Sequence, residues 1–279
     1  DEEYADPSNY PDYVQYALDY ALTVKNPQGE EVIYSKEMLK LYFQNEDPEF
    51  DLLFDSQEEG QEYVDRYKAS ILADGSTVVA ERVSFAPQPQ SSMSVIDQHT
   101  GYVKAIIGGR GEKTASLTLN RATDTTRQPG STFKILSTIA GMSEGVIDDG
   151  TYINCTGSFD LVTPPINCWN KQGHGEIEIR EAIEQSCNYY FNMVGFKLGQ
   201  DENGDFSENR SLSVLQKYAA EIGLDKKTGI EITESAPQVS NSYAVPSYIG
   251  QGTNAYTTSQ LARYATAIAT SGNVYDLTL

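Results

Sequence analysis

The sequence predicts an α+β fold with a buried central helix and an antiparallel sheet, preceded by a smaller module. Three observations support this prediction. Two short apolar strands follow residue 91, the segment 132–142 is apolar on nearly all sides, and further helical patterns dominate after it. Strands followed by a mostly helical middle are typical of α+β domains, and a helix that is apolar all round is typical of a domain interior.

Composition limits the function before any motif does. With 279 residues and 39% hydrophobic content, the chain can bury the cores of one large and one smaller domain. A net charge of −20, with no run of Lys or Arg, excludes nucleic acid as a partner because phosphate binding needs a basic surface. No window approaches the ~18 apolar residues of a membrane span, and the acidic start "DEEYADPSNY" is not a signal peptide. We therefore expect a soluble chain, although a longer parent protein can carry an anchor outside it.

Residues 1–90 are predicted to form an N-terminal linker or packing module that ends at the loop "APQPQSS". In "YVQYALDYAL" the apolar residues Val14, Ala17, Leu18 and Ala21 have helical spacing. The segment "SKEMLKLYF" repeats this helical pattern, and "STVVAERVSF" alternates as a strand does. This portion is acidic and rich in tyrosine, and we find no constellation of catalytic residue types in it.

Residues 91–279 are predicted to form the larger domain. The segments "SMSVID" and "YVKAIIGG" flank "QHTG" and predict a hairpin whose turn ends at Gly101, with His99 as a solvated turn residue. A buried helix follows at 132–142, and further helices are predicted near 178–198, 211–222 and 257–271. The closing strands of such a sheet should come after the helices. The sequence reaches "GNVYDLTL" before such strands are evident, so we expect the C-terminal strands to be missing.

The stretch "RQPGSTFK" places Ser131 and Lys134 three positions apart, on one face of the predicted helix. A serine hydroxyl is a poor nucleophile until a base takes its proton, and a lysine in an apolar helix is such a base because burial disfavours its charged form. The helix start also offers free N–H groups to an oxyanion. Ser-x-x-Lys alone occurs often by chance. A second motif, "SCNYYF", strengthens the prediction by supplying Ser186 and Asn188.

Ser-x-x-Lys followed by Ser-x-Asn is the pattern of β-lactamases and penicillin-binding proteins. With "VIDQHTGYVKAIIGG", "LNRAT", "IREAIEQSCNYYF" and "IGQG…TTSQLARYATAIATSG", the chain from about residue 91 to 279 resembles the transpeptidase domain of penicillin-binding proteins. The run "GGRGEKTASLTLNRATDTTRQPGSTFK" is most similar to bifunctional class A members, which carry an upstream glycosyltransferase domain. The sequence "GHG" at 173–175 followed by "SCN" is similar to class B members.

This resemblance implies a penicillin-binding/β-lactamase-like transpeptidase fold and a peptidoglycan D,D-transpeptidase that β-lactams inactivate. It implies that Ser131 attacks the D-Ala-D-Ala carbonyl of a stem peptide, with Lys134 as the general base. Ser186 would relay the proton to the leaving D-alanine, and Asn188 would hydrogen-bond Lys134 and the substrate amide. The site of action would be the extracytoplasmic face of a bacterial membrane, with the full-length parent anchored there.

The family's third motif, Lys-Thr-Gly, has a literal match at Lys227, Thr228 and Gly229. We reject this match because "IGLDKKTGIEI" is similar to the family's Gly-x-x-x-x-Thr-Gly-Ile loop and precedes "IGQG". A surface turn with solvated lysines is the simpler interpretation. We therefore expect the catalytic Lys-Thr-Gly strand to lie outside this sequence, which puts the activity of these residues alone in question.

Two other classes of function stay open at this point. A D,D-carboxypeptidase or β-lactamase-like hydrolase has the same fold but deacylates with water. A non-enzymatic β-lactam-binding sensor or scaffold binds the drug and turns over no stem peptide. The motif order and the stretch "LNRAT…RQPGS" favour the transpeptidase.

Three cysteines and a histidine, spaced C-x12-C-x5-H-x12-C, predict a metal site: Cys155, Cys168, His174 and Cys187. Three thiolates and one imidazole complete a tetrahedral structural zinc site without an open position for catalysis. The resemblance supports this, since some class B members hold a metal in this loop. The alternative is a Cys155–Cys168 disulfide with Cys187 free and His174 an ordinary loop residue. Zinc is favoured because the cysteine count is odd and a histidine lies inside the cluster. No cofactor is expected for catalysis.

Overall fold

A computed structural model of the protein describes residues 15–72, 75–111 and 118–279. These residues divide into two units, one formed by residues up to 91 with the described residues between 109 and 118, the other by 92–108 and 119–279. Val14 of the first predicted helix and residues 112–117 of the class A-like run lie outside the described residues. Within the described ranges, every helix is too short or too polar to cross a bilayer. The role of residues 1–90 as a linker or packing module stays a prediction.

The first unit is an antiparallel sheet with helices beside it. Its elements are β1 (Gln15–Lys25), β2 (Glu31–Ser35), α1 (Lys36–Gln44), β3 (Leu53–Phe54), α2 (Gln57–Ile71) and β4 (Thr77–Gln88). Strand β1 pairs with β4 along its whole length, and it also pairs with β2 and β3. Helices α1 and α2 each contribute apolar side chains to one core with β1. The predicted helix at "SKEMLKLYF" and the predicted strand at "STVVAERVSF" are confirmed.

The helix predicted at "YVQYALDYAL" is wrong, because this segment forms most of β1. Its buried side chains are Leu18, Tyr20, Leu22 and Val24, which alternate along one face of the sheet. Ala17, Leu18 and Ala21 also have helical spacing, so the segment fits both a helix and this period-two strand pattern. Tyrosine and valine at alternate positions fit a half-buried pleated surface, and tertiary pairing with β4 decides the outcome.

The second unit carries the candidate site. Its elements are β5 (Met93–Ile96), β6 (Val103–Ile107), α3 (Lys134–Ser143), β7 (Ile153–Cys155), β8 (Ser158–Phe159), β9 (Ile166–Asn167), β10 (Gly175–Ile177), α4 (Ile179–Glu184), α5 (Asn188–Leu198), α6 (Glu208–Glu221), α7 (Ala244–Ser247) and α8 (Thr258–Ala269). A 3₁₀ turn, Gly130–Phe133, leads directly into α3. The mixed α/β architecture with antiparallel strand pairs confirms the predicted fold class.

Helix α3 is the buried central helix that the sequence predicts. Phe133, Leu136 and Ala140 are fully buried in a core that α4, α5 and α6 also line. The predicted hairpin is confirmed as β5 paired with β6, and the hydroxyl of Ser94 on β5 lies 2.9 Å from that of Ser259 on α8. The core therefore surrounds the helix on which Lys134 stands.

The helical region predicted at 178–198 is interrupted at 185–187. Ser186 has a left-handed backbone, with φ of +48°. Its N–H donates to the carbonyl of Ile183, and the N–H of Cys187 donates to the carbonyl of Ala182, which ends α4. The Cys187 thiol then accepts the N–H of Tyr190 at 3.4 Å and begins α5. Two short helices thus meet at the serine of the second motif.

Candidate active site

Ser131 lies in the 3₁₀ turn that opens α3, close to the helix start that the sequence predicts. Its neighbour Gly130 has φ of +56°, and the Gly130 N–H donates to the carbonyl of Gly250 at 3.1 Å. A Cβ atom on Gly250 would lie 2.0 Å from the Gly130 carbonyl oxygen. The backbone of the "IGQG" segment therefore supports the serine turn at a distance that only glycine allows.

Lys134 brings the four sequence-predicted residues together. Its Nζ lies 3.1 Å from Oγ of Ser131, 2.9 Å from Oγ of Ser186, 2.7 Å from the carbonyl oxygen of Ser186 and 2.7 Å from Oδ1 of Asn188. The lysine itself is only 3% exposed. The two motifs, separated in sequence, thus form one hydrogen-bonded group.

The acceptor set around this amine favours a proton transfer. The Ser186 carbonyl and the Asn188 side-chain oxygen can only accept, so each takes one N–H of the amine. A neutral amine has two N–H groups and one lone pair. With both N–H groups occupied, the lone pair is left for a hydroxyl, and the hydroxyls of Ser131 and Ser186 are both within reach. The geometry therefore suits removal of a proton from serine.

The electrostatic surroundings of Lys134 lower its basicity toward neutral pH. Burial lowers the pKa of Lys134 to about 8, against an opposing effect from Cys187 and Cys168. The ring of Phe191 lies 5.7 Å from Nζ and gives a weak attraction to the charged form. A base with a pKa near ambient pH is both available and strong enough for general base catalysis.

Sequence reasoning missed Trp169, which lies next to the second motif in space. Its Nε1–H donates to the carbonyl of Gln185 at 2.8 Å, one residue before Ser186. Its ring meets the ring of His174 edge to face, with centroids 5.1 Å apart. The available signal was its position directly after Cys168 in "CWNKQGHG", where it is the one tryptophan of the chain.

The four predicted metal ligands also converge. The ligand atoms of Cys155, Cys168, His174 and Cys187 all lie within 4.8 Å of one another. Nδ1 of His174 is 3.5 Å from the sulfur of Cys155 and 3.7 Å from the sulfur of Cys168. The sulfurs of Cys168 and Cys187 are 3.9 Å apart. All three cysteines are free thiols. Nε2 of His174 is buried without a hydrogen-bond partner among the described residues.

The rejected Lys-Thr-Gly match lies in a loop between α6 and α7. Thr228 donates its N–H and hydroxyl to the carboxylate of Glu234, and the carbonyl of Lys227 accepts from the buried guanidinium of Arg263. Among the described residues, none of its hydrogen bonds reaches the group around Lys134. The loop is held as a structural turn of the domain.

Comparison with known proteins gives a match to the family described as "Penicillin binding protein transpeptidase domain" over residues 92–279. Among curated relatives, the peptidoglycan D,D-transpeptidase MrdA of Acinetobacter baumannii is 29% identical over 115 residues, which cover 40% of this chain and 15% of the relative. Penicillin-binding protein 1A of Clostridium tetani is 32% identical over 167 residues, which cover 53% of this chain and 20% of the relative. The match thus spans a fifth or less of the length of these relatives.

Solved structures show the same fold at lower identity. Pseudomonas aeruginosa PBP2 superposes with a TM-score of 0.60 and 20% identity over 69% of this chain and 49% of that one. Helicobacter pylori PBP2 gives a TM-score of 0.57 and 16% identity over 93% of this chain and 48% of that one. The family match covers well over half of the sequence and includes both motifs of the site. The chain therefore belongs to the penicillin-binding protein transpeptidase domain family.

Proposed function

We propose that this chain contributes the serine-type D,D-transpeptidase activity that cross-links peptidoglycan stem peptides. The observation that carries the proposal is the contact of one buried amine, Lys134, with Ser131, Ser186 and Asn188. The family membership and the names of the relatives support it. The proposed substrate is a stem peptide ending in D-Ala-D-Ala, and the proposed inhibitors are β-lactams.

In the proposed first step, Oγ of Ser131 attacks the carbonyl carbon of the D-Ala-D-Ala peptide bond while Lys134 takes the hydroxyl proton. The C–N bond breaks, and Ser186 passes a proton from Lys134 to the leaving D-alanine nitrogen. The product is an ester between Ser131 and the stem peptide. In the second step the amine of a neighbouring stem attacks this ester, forms the cross-link and returns the proton to Ser131. Asn188 keeps Lys134 oriented by accepting one of its N–H groups.

Intact-protein mass spectrometry after treatment with a fluorescent penicillin tests the acylation site. We expect one adduct, which is lost in Ser131→Ala. Ser213→Ala is a matched control, because Ser213 is exposed on α6 and, within the part of the chain that the structure describes, its hydroxyl bonds only the carbonyl of Asn209. Labelling that survives in Ser131→Ala would contradict the assignment.

The fate of the adduct separates the three classes of function. A transpeptidase forms a long-lived penicilloyl ester and joins a D-Ala-D-Ala peptide to an added amine acceptor. A β-lactamase-like hydrolase hydrolyses the penicilloyl ester and loses the adduct, whereas a carboxypeptidase releases the D-Ala-D-Ala peptide as free acid even when the acceptor is present. A sensor or scaffold keeps the adduct and converts no peptide, so product analysis with and without the acceptor decides between them.

We also propose that the Cys/His cluster binds a structural zinc ion. The residues present fit this metal, since three free thiols converge with the imidazole of His174, whose Nδ1 faces two of the sulfurs. The ligands would be Cys155, Cys168, His174 and Cys187. When bound, the ion would tie the loop around 155–175 to the turn between α4 and α5, without taking part in catalysis.

The surroundings of the whole protein follow from the proposed substrate. Peptidoglycan lies outside the bacterial cell membrane, so we place the domain at the extracytoplasmic face. We expect a full-length parent that is membrane-anchored, with a glycosyltransferase domain if the class A resemblance holds. Western analysis of fractionated cells, with protease added to spheroplasts, would test the location, because an extracytoplasmic domain is digested and a cytoplasmic one is protected.

A further inference from the structure

Trp169 is held at two points although most of its side chain faces solvent. The residue is 61% exposed, so it contributes little to the core. Its Nε1–H donates to the carbonyl of Gln185 at 2.8 Å, and its ring contacts that of His174 at 65° with centroids 5.1 Å apart. An exposed ring fixed in this way has a role other than burial.

The carbonyl of Gln185 belongs to the peptide unit whose N–H is that of Ser186. This carbonyl is at the end of α4, where the last carbonyl groups of a helix have no N–H donor within the helix. Trp169 holds its oxygen, and the carbonyl of Ile183 holds the Ser186 N–H at 3.1 Å. With both ends held, the plane of this peptide unit is fixed.

The orientation of that plane sets where Ser186 points. The next torsion along the chain, φ of Ser186, is +48°. A positive φ is unfavourable for a residue with a side chain and persists only when the surroundings enforce it. Beyond it, the carbonyl and Oγ of Ser186 supply two of the four contacts of Lys134. A small rotation of the peptide would lengthen both contacts.

We propose that Trp169 is a positioning residue that fixes the peptide unit before Ser186 and ties it to the Cys/His loop through His174. Among the described residues, the hydrogen bond of the indole goes to the Gln185 carbonyl and not to Ser131 or Lys134, so Trp169 acts through Gln185 and Ser186. The proposal rests on the proposed function, since it concerns the same Ser186 and Lys134. It adds a residue that belongs to neither of the motifs that identify the family.

The single tryptophan allows an isosteric test. Protein grown in a tryptophan auxotroph with benzothienylalanine keeps the ring shape at position 169 and replaces N–H by sulfur, whereas 5-fluorotryptophan keeps the N–H as the matched control. The first readout is the rate constant for acylation by a fluorescent penicillin. The second is the NMR cross-peak of the amide between Ser186 and Cys187, which is the one Ser-Cys bond in the sequence. Carbonyl-¹³C serine with ¹⁵N cysteine selects that amide.

Benzothienylalanine removes one hydrogen bond, so it should slow acylation roughly five- to tenfold. The fraction of protein that is finally labelled should not change. The cross-peak should shift, the melting temperature should stay within about 2 °C of the parent, and 5-fluorotryptophan should change neither readout. An unmoved cross-peak with an unchanged rate overturns the proposal, as does an equal effect of the two analogues. If acylation is absent here and also in a longer protein that carries the catalytic Lys-Thr-Gly strand, the proposed function is refuted instead, and the cross-peak then decides the positioning role by itself.

Discussion

The pH dependence of acylation tests whether Lys134 is the base. Burial lowers the pKa of Lys134 to about 8. At pH 7 about one-tenth of the amine is then neutral, compared with roughly one part in 2,500 for a lysine at its ordinary pKa of about 10.4. The site therefore raises the population of the active form by roughly two orders of magnitude. Since the neutral amine is the reactive form, the acylation rate should rise as pH rises through about 8.

The assay is the second-order rate constant for a fluorescent penicillin between pH 6 and 10 at constant ionic strength. Signal from Ser131→Ala is subtracted to remove reaction elsewhere. We expect a tenfold rise per pH unit up to about pH 7, a half-maximal rate near pH 8 and a plateau above about pH 9. Lys227→Ala is the matched lysine control, because Lys227 is exposed in the loop between α6 and α7, and its profile should coincide with that of the parent.

Two results would refute this reasoning. A rate that stays flat from pH 6 to 9 would show that no group with this pKa controls the step. A rate that climbs tenfold per pH unit up to pH 10 would show that burial leaves the pKa of the lysine unperturbed.

The Lys227→Ala control also tests the rejection of the third motif. A loss of about a thousandfold in Lys227→Ala, the scale of an electrostatic oxyanion contribution, would show that the third motif was misplaced.

Three further predictions concern stability, metal and backbone. Because the pKa of Lys134 is lower in the folded than in the unfolded chain, the parent should gain about 2 kcal/mol of unfolding free energy relative to Lys134→Met as pH rises from 8 to 10, measured by urea denaturation. Elemental analysis should find close to one zinc per chain, and His174→Ala should lower both occupancy and melting temperature; metal-free protein with a disulfide in its peptide map would contradict this. Gly250→Ala places a Cβ 2.0 Å from the Gly130 carbonyl oxygen, so penicillin labelling should slow at least tenfold, and an unchanged rate would show that the serine turn does not need this support.

The part of the site that the sequence predicted depends on local spacing. Ser131 and Lys134 meet because three positions separate them at the start of one helix, which a helical pattern fixes directly. Ser186, in the turn between α4 and α5, and Asn188, the first residue of α5, reach the same amine, and this required recognition of the second motif. Trp169 could not be found in this way, because its contact to Gln185 has no periodic signature in the sequence.

The error at β1 has a different cause. Ala17, Leu18 and Ala21 fit a helix, while Leu18, Tyr20 and Leu22 fit a strand, so local pattern alone leaves two solutions. The choice is made by pairing with β4, a strand more than 50 residues later in the chain. Short apolar segments stay ambiguous until the partner strand is known.

The helical region predicted near 178–198 is confirmed as two helices, and the break between them, which the sequence pattern did not indicate, falls on the candidate site itself. A continuous helix would satisfy every local preference there, but it would not turn both oxygens of Ser186 toward Lys134. The chain instead holds Ser186 at positive φ and buries a lysine, two locally unfavourable features that long-range contacts maintain. Because Trp169 is exposed and lies outside the core, weakening its contact should affect the position of Ser186 more than global stability. Changes at such supporting residues should therefore reduce the acylation rate before they reduce the melting temperature, whereas core substitutions should do the reverse.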